Sequence, residues 1–344
     1  MPDYTYAEIR RQPTTWQEVL RYLEGTKGEL LSCISAEYGE VLFVGCGSSY
    51  NLALTAAHLW QKLVRERARG VPSSEIFLFP EGVFLPEEKY LFFGISRSGE
   101  TTETVKALTH FKEHFRGKAL GVTCEEGSSL ARLADCAIVL SPAGEESVVM
   151  TQSFSSMLLA LLFLAMEKGG ISPSPLTVLP GILENLFSRY EETIRDVATQ
   201  QAFTKFIFLG SGPLYGIAWE GSLKLKEMSL TPTETFHFLE FRHGPKSIVD
   251  ESTLLVALTS QSAFDMEKEV LLEMVRLGAT VLHLGFESLS SPKAVEILYD
   301  AKSVDPLFVP FLDVAFLQLL GYFRAKEKGL DPDNPKNLTK VVVL

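Results

Sequence analysis

Tyr90-Leu91-Phe92-Phe93-Gly94-Ile95-Ser96-Arg97-Ser98-Gly99-Glu100-Thr101-Thr102 is the stretch whose reading decides the fold. Its apolar opening predicts a buried strand, and Glu103-Thr104-Val105-Lys106-Ala107-Leu108 follows with helical spacing. A buried strand that ends in a glycine- and hydroxyl-rich turn and opens a helix aims free N–H groups at one point. The helix dipole favours an anion there. Ser96, Ser98, Thr101 and Thr102 add hydroxyl donors, and Gly99 allows close backbone approach. Two readings fit the stretch: a phosphate seat, or an ordinary strand-to-helix turn with Thr101 as N-cap.

Upstream, Glu40-Val41-Leu42-Phe43-Val44 reads as a strand, Gly45-Cys46-Gly47-Ser48-Ser49 as a turn, and residues 50–64 as a helix. Ile76-Phe77-Leu78-Phe79, residues 119–123 and residues 136–140 read as further strands. Strands alternating with helices predict a parallel sheet covered on both faces. Ligands of such sheets bind beyond the carboxyl ends of the strands, where loops 45–49 and 96–102 both fall. Before this sheet, residues 1–27 read as two helical stretches broken at Gln12-Pro13, an arm lying on a domain surface.

A long apolar helix from Met150 to Lys168, a break rich in glycine, serine and proline, and a helix over about 182–199 carry the domain boundary. The plan then restarts. Phe206-Ile207-Phe208-Leu209-Gly210-Ser211-Gly212-Pro213-Leu214-Tyr215 matches Val41 to Tyr50 in both glycines and the tyrosine. Leu258-Thr259-Ser260-Gln261-Ser262 lies at nearly the offset of Gly94-Ile95-Ser96-Arg97-Ser98, which reads as an internal duplication. The second copy continues with Ala263-Phe264-Asp265, and an aspartate there repels phosphate, so phosphate binding is assigned to the first copy alone. The expected division is an arm over 1–27, a first domain over 28–180 and a second over 181–344.

The bulk properties bound the function. A chain of 344 residues is long enough for two cores, and 46% hydrophobic with 22% charged residues argues against extended disorder. A formal net charge of -11 works against nucleic acid as a partner, while a small anion remains open to a few local donors. Cys33, Cys46, Cys124 and Cys136 have no metal-site or redox spacing and read as reduced, buried thiols. The start lacks a signal-peptide pattern and the longest apolar run, 157–166, is too short to span a membrane, so a cytoplasmic protein without membrane contact is expected.

Glu220, Lys224 and Glu227 fall four and three residues apart on one predicted helix face. They read either as a solvated salt-bridge stripe or as part of a site. The following Phe236-His237-Phe238-Leu239-Glu240-Phe241-Arg242-His243-Gly244-Pro245-Lys246-Ser247 sets a histidine beside a Gly-Pro turn. His243 is thereby a better proton-transfer candidate than His237. The tail Asn334-Pro335-Lys336-Asn337-Leu338-Thr339-Lys340 reads as an extended loop whose lysine carries no role on its own.

Taken together, these motifs resemble the SIS (sugar isomerase) domain family. The likeness is strongest to the tandem-SIS isomerase half of glucosamine-6-phosphate synthases and to stand-alone amino-sugar-phosphate deaminase/isomerases. It rests on Cys46-Gly47-Ser48-Ser49-Tyr50, Ser96-Arg97-Ser98-Gly99-Glu100-Thr101, Ala143-Gly144-Glu145-Glu146, Glu220-Gly221-Ser222-Leu223-Lys224-Leu225-Lys226-Glu227, His243-Gly244-Pro245 and Asn337-Leu338-Thr339-Lys340. The resemblance implies an α/β fold of two tandem SIS domains, each a parallel sheet flanked by helices in a flavodoxin-like three-layer arrangement. It also implies that Ser96, Arg97, Ser98 and Thr101 bind a sugar phosphate, with Ser48 and Ser49 beside them. Glu227 resembles the base that moves a proton between C1 and C2, and Lys224 a supporting lysine. Lys340 resembles the lysine that forms a Schiff base with the ketose. His243 resembles the ring-opening histidine, which in that family comes from the neighbouring subunit, so a homodimer is implied.

Such chemistry needs no metal or cofactor. Departures from the synthase pattern concern the substrate. Arg97 stands where the synthases have a glutamine and Gln152 where they have a lysine, and with no glutaminase domain expected ahead of the isomerase half, glutamine is not expected as nitrogen source. The expected activity is isomerisation of an aldose/ketose 6-phosphate, with ammonia release from a hexosamine 6-phosphate. The alternatives are a fructosamine-6-phosphate deglycase and a sugar-phosphate sensor without catalysis.

Overall fold

The computed structural model describes residues 3–340. Two compact bodies result, one of residues 10–180 with 339–340, the other of residues 3–9 with 181–338.

In the first body the chain runs α1 (Tyr4–Cys33, entering from the other body at residue 10), β1 (Glu40–Gly45), α2 (Ser48–Val64), β2 (Ala68–Pro72) and α3 (Ser73–Leu78). It continues through β3 (Lys89–Ile95), α4 (Thr102–His114), β4 (Arg116–Thr123), α5 (Ser129–Leu133), β5 (Cys136–Val139) and α6 (Gln152–Lys168). All five strands are parallel, in the order β2-β1-β3-β4-β5. Val41 to Val44 and Leu91 to Phe93 are fully buried, as expected where helices cover both faces of a sheet. Phe43 stacks on Phe93 at 4.9 Å with Trp60 of α2 edge-on, a cluster contributing about 0.5–1.5 kcal/mol per aromatic pair beyond its buried area. α4 buries Thr104, Ala107, Leu108 and Phe111, a three- and four-residue spacing that fixes one apolar stripe. The strand order reverses between β1 and β3, so loops 46–47 and 96–101 flank the crevice where ligands of such sheets bind.

The second body follows with α7 (Leu179–Ala198), β6 (Lys205–Leu209), α8 (Pro213–Ser229), β7 (Thr233–Phe236), α9 (Phe238–Phe241), β8 (Thr253–Leu258), α10 (Phe264–Arg276), β9 (Thr280–Gly285), β10 (Ala294–Leu298) and α11 (Val309–Glu327). Its parallel sheet has the order β10-β9-β8-β6-β7, the first body's order under a shift of five strands. Gly47 before α2 has φ 53 and ψ -124, and Gly212 before α8 has φ 57 and ψ -130, backbone that only glycine adopts without cost. α8 and α11 pack closely because both carry glycine where they meet. A Cβ on Gly221 would lie 2.5 Å from Leu317, and one on Gly321 2.6 Å from Met228. α11 is apolar enough to cross a membrane, yet 89% of its apolar window is buried within the protein, as in a core helix.

Several sequence expectations are corrected. The N-terminal segment is not two helices on a surface. α1 runs unbroken through Pro13 and buries Trp16, Val19 and Leu23. Thr15 donates to Gln152 at 2.8 Å and Trp16 to Ser155 at 2.9 Å, so packing on α6 outweighs the roughly 3 kcal/mol that an interior proline costs. The apolar run Ile76 to Phe79 is not a strand but mostly α3. The strand beside it is β2, whose sequence Ala-Arg-Gly-Val-Pro has no apolar run because it lies half-exposed at the sheet edge. Cys33 and Cys136 are not free thiols. They form a disulfide across 103 residues, where the end of α1 meets β5, and only Cys46 and Cys124 are unpaired among the cysteines. The repeat alignment also shifts by one residue. Ser96 N and Thr259 N each donate to the neighbouring strand at 3.0 Å, so Thr259 rather than Ser260 is the counterpart of Ser96.

Candidate active site

In the first body the β3–α4 turn is organised by its own hydroxyls. Ser96, nearly buried, shares a hydrogen bond of 2.9 Å with Thr101 and accepts one of 3.0 Å from Gly99 N. Ser98 accepts from Glu100 N at 3.2 Å and stays half-exposed. Thr101 occupies the N-cap position but makes no capping side-chain bond, its hydroxyl being turned onto Ser96. Thr101 thus gives the first turn of α4 no side-chain cap, which favours the anion seat over the plain N-cap reading. Gly99 has φ +63, and a Cβ there would run into the Ser128 side chain. Ser48 and Ser49 sit in the first turn of α2, both almost fully buried. The two turns are joined through Ser73 and Thr104, 3.0 Å apart, with Cys46 Sγ 3.9 Å from Thr104. Burial pushes the Cys46 thiol above its usual pKa, so it is no ready nucleophile.

Negative charge also borders this turn. Among the described residues the buried Oε2 of Glu103, in the first turn of α4, has no hydrogen-bond partner, and Glu100 accepts from Ser129 N at 2.7 Å. A cavity of about 370 Å³ is lined by Ser98, Gly127, Ser128, Arg97, Glu145 and Lys340 together with Glu100, Glu125 and Glu126. Lys340 therefore belongs with the first body's turn, although sequence order attached it to the second domain. Arg97 extends into the protein, where it meets Glu145 at 3.0 Å. Glu145 was visible in the sequence only as part of a matching motif; nothing there marked it as the hub of a buried hydrogen-bond network.

In the second body Glu220 and Lys224 are fully buried and Glu227 is mostly so. Lys224 Nζ lies 3.2 Å from Glu220 and 2.5 Å from Glu227. The solvated-stripe reading is thereby excluded. Burial alone would depress the Lys224 pKa, but the two carboxylates outweigh it and hold the ammonium above its usual range. The result is one carboxylate, Glu227, held against a fixed cation and still partly open.

His243 is exposed on the turn after α9, where Gly244 has φ +118. Arg242 and Lys246 clamp that turn onto Glu273 of α10 at 3.0 and 2.5 Å. His237 instead stacks on Tyr215 at 3.6 Å, and burial lowers its pKa.

The second body's counterpart of the phosphate turn is occupied by the chain itself. Ser260 N donates to Glu267 Oε2 at 2.8 Å, and burial raises that carboxyl to about 7. Thr259 bonds His283 at 2.8 Å, and His283 bonds Glu296 at 3.2 Å. His283 thus has partners that its strand context did not reveal. An own carboxylate at this turn supports leaving phosphate binding to the first body; the blocking residue is Glu267 rather than Asp265.

The family model described as SIS domain matches residues 36–167. The glutamine–fructose-6-phosphate aminotransferase (isomerizing) of Clostridium tetani is 31% identical over 318 residues, 89% of this chain and 52% of the relative. The chain spans about half the length of the curated relatives it matches. Among solved structures, glucosamine-6-phosphate deaminase from Thermotoga maritima aligns with a TM-score of 0.85 and 34% identity over 99% of both chains. The tagatose-6-phosphate ketose/aldose isomerase from Escherichia coli aligns with a TM-score of 0.88 at 22% identity, over 98% of this chain and 95% of that one, a likeness of fold.

Proposed function

This chain belongs to the SIS domain family and is an enzyme, and we propose that it isomerises a hexosamine 6-phosphate with release of ammonia. The observation that carries this reading is the buried Glu220–Lys224–Glu227 set, in which Lys224 Nζ lies 2.5 Å from Glu227. Burying a cation between two carboxylates costs several kcal/mol of desolvation per ion, and a stripe serving only solubility has no cause to bear it. Support also comes from the Ser96–Thr101 turn, rich in hydroxyls and with the Thr101 hydroxyl turned onto Ser96 rather than capping the helix. We infer further that both bodies are SIS domains, on the strength of their shared strand order and the matching backbone at Gly47 and Gly212.

In the proposed reaction the Ser96–Thr101 turn binds the phosphate with Ser48 and Ser49 beside it, supplying binding energy remote from the reacting carbons. His243 of a partner subunit assists opening of the sugar ring. Glu227 then takes the C2 proton and returns it to C1 while one proton of the C2 ammonium passes to O1, which turns the C1 aldehyde and C2 ammonium into a C1 alcohol and a C2 iminium. Lys340, as free amine, adds to C2 and expels ammonia, and water releases the ketose 6-phosphate with Lys340 regenerated. The balance is hexosamine 6-phosphate plus water to ketose 6-phosphate plus ammonia.

The test is ammonia release by purified protein from glucosamine 6-phosphate and galactosamine 6-phosphate, with lysine release from a glycated-lysine 6-phosphate measured beside it as the mark of a deglycase. Release from a hexosamine phosphate is expected, with Glu227→Gln slowing it by about 10²–10⁴-fold. No turnover of any substrate in the panel, with binding retained, would instead establish the sensor reading.

A further inference from the structure

Arg97 stands in the phosphate turn, yet its side chain is only 8% exposed and meets Glu145, whose own side chain is fully buried. Nη1 donates to Glu145 Oε2 at 3.0 Å and to the Ser147 carbonyl at 3.3 Å, and Nη2 donates to the Val148 carbonyl at 2.9 Å. The second Nη2 bond reaches 243 residues along the chain, to the carbonyl of Lys340 at 2.8 Å. Lys340 Nζ in turn donates to the carbonyl of Glu145. Arg97, Glu145 and Lys340 therefore form a closed triangle, each side a hydrogen bond.

Glu145 is itself immobilised. Its carboxylate accepts from Thr151 N at 2.6 Å, Thr151 Oγ1 at 2.9 Å, Ser153 N at 2.9 Å and Ser153 Oγ at 2.6 Å. The start of α6 thus fixes Glu145, Glu145 fixes Arg97, and the two together grip Lys340 by its carbonyl and its ammonium. A planar guanidinium can serve a carboxylate and several carbonyls at once, whereas an ammonium could not span the same acceptors. All the printed bonds engage Nη1 and Nη2, so a phosphate bound through either of those nitrogens would have to displace these contacts and lie beside the Glu145 carboxylate.

We propose that Arg97 and Glu145 are positioning residues, a latch that holds Lys340 beside Ser98 and the 370 Å³ cavity, and that Arg97 is not a phosphate ligand. The inference rests on the proposed Schiff-base role of Lys340. In the latched state the Lys340 ammonium is parked on the Glu145 carbonyl. Release from that carbonyl with one proton passing to water gives the amine, whose nitrogen bonds to C2 of the iminium as the bond from C2 to the original nitrogen breaks and ammonia leaves.

Two measurements on the full chain test this, using Arg97→Met, Arg97→Lys and Glu145→Gln. Arg97→Lys keeps a cation for Glu145 and guards against simple unfolding, with circular dichroism as control. Hydrogen exchange without substrate is expected to show faster exchange of the peptide ending at Lys340 in all three variants. Borohydride trapping with fructose 6-phosphate is expected to label Lys340 in the parent and to slow by about 10²-fold in Arg97→Met, the usual cost of a misplaced reacting group. KM should stay within about threefold, because uniform binding is untouched.

A raised KM with an undiminished trapping rate at saturation would overturn the latch and make Arg97 a phosphate ligand. Unchanged exchange of the tail peptide in folded variants would overturn it equally. Failure of the parent to trap any adduct at Lys340 would instead remove the proposed Schiff-base role, leaving hydrogen exchange to judge the grip on the tail.

Discussion

Lys224 and Asp313 are both buried ionisable groups, with opposite consequences. Lys224 is compensated by Glu220 and Glu227, so removing it strands two carboxylates inside the protein. Lys224→Met is expected to destabilise the fold by about 3–5 kcal/mol in urea unfolding. A loss below about 1 kcal/mol would show the set to be solvated in solution. Among the described residues Asp313 accepts one hydrogen bond, from Tyr299 at 2.5 Å, and its Oδ2 is buried without a partner. Burial raises it from 3.8 to about 8. Between those values the folded state keeps a proton that the unfolded chain has released, so this group makes stability fall as pH rises. The slope is up to about 1.4 kcal/mol per pH unit and levels off above 8. Asp313→Asn keeps an acceptor for Tyr299 and removes the slope. Unfolding at pH 5 and pH 8 should therefore show the variant gaining on the parent at the higher pH; an equal gap at both would refute it. The spacing of Glu220, Lys224 and Glu227 was legible in the sequence, but their burial was not. It depends on α11 closing over α8 through Gly221 and Gly321, a contact between segments about a hundred residues apart.

At the scale of elements, the β3–α4 turn depends on Gly99. Its φ of +63 is costly for any residue with a Cβ, and the Ser128 side chain occupies the space a Cβ would need. Gly99→Ala is expected to reopen the turn, lowering stability by about 1–3 kcal/mol. It should also raise KM for a sugar phosphate more than it lowers kcat, as steady-state kinetics on the folded variant would show. An unaltered KM would mean that the turn does not hold the phosphate. Elements with continuous apolar runs, such as β1, β3 and β8, can be read directly because both faces of a parallel sheet are buried. β2 cannot, since an edge strand needs little apolar surface. α3 escapes such a reading because four apolar residues in a row fit a short helix as well as a strand. Pro13 weighs less than its position suggests, the Trp16 face of α1 providing more than the proline takes away.

For the whole molecule, the exposed His243 and the partly open Glu227 lead to a subunit-mixing prediction. If His243 acts across a dimer, Glu227→Gln and His243→Ala are each inactive alone. Mixed and allowed to exchange, they regain about a quarter of the parent activity, because half the dimers are hybrids and each hybrid holds one intact site. No recovery, with hybrid formation demonstrated by mass spectrometry, would place His243 in the site of its own chain. The repeated strand-turn-helix plan was readable from two glycines and a tyrosine, and the structure gives both bodies the same strand order. Partners joined only by folding were out of reach. Cys33 and Cys136 stand 103 residues apart, and Arg97 and Lys340 243, with no periodicity to connect them.

The chain visits its two bodies in alternation rather than in series. Tyr4 N and Thr5 N donate to Asp333 at 2.9 and 2.7 Å, so a side chain from near the end of the sequence caps the first helix. A gene cut after codon 180 would therefore separate each half from a piece of itself. The front fragment would carry Arg97 and Glu145 with no lysine to receive, and the back fragment an aspartate with no helix to terminate. Expressing either half by itself calls for rewired connectivity, with residues 339–340 spliced behind 180 and residues 3–9 ahead of 181.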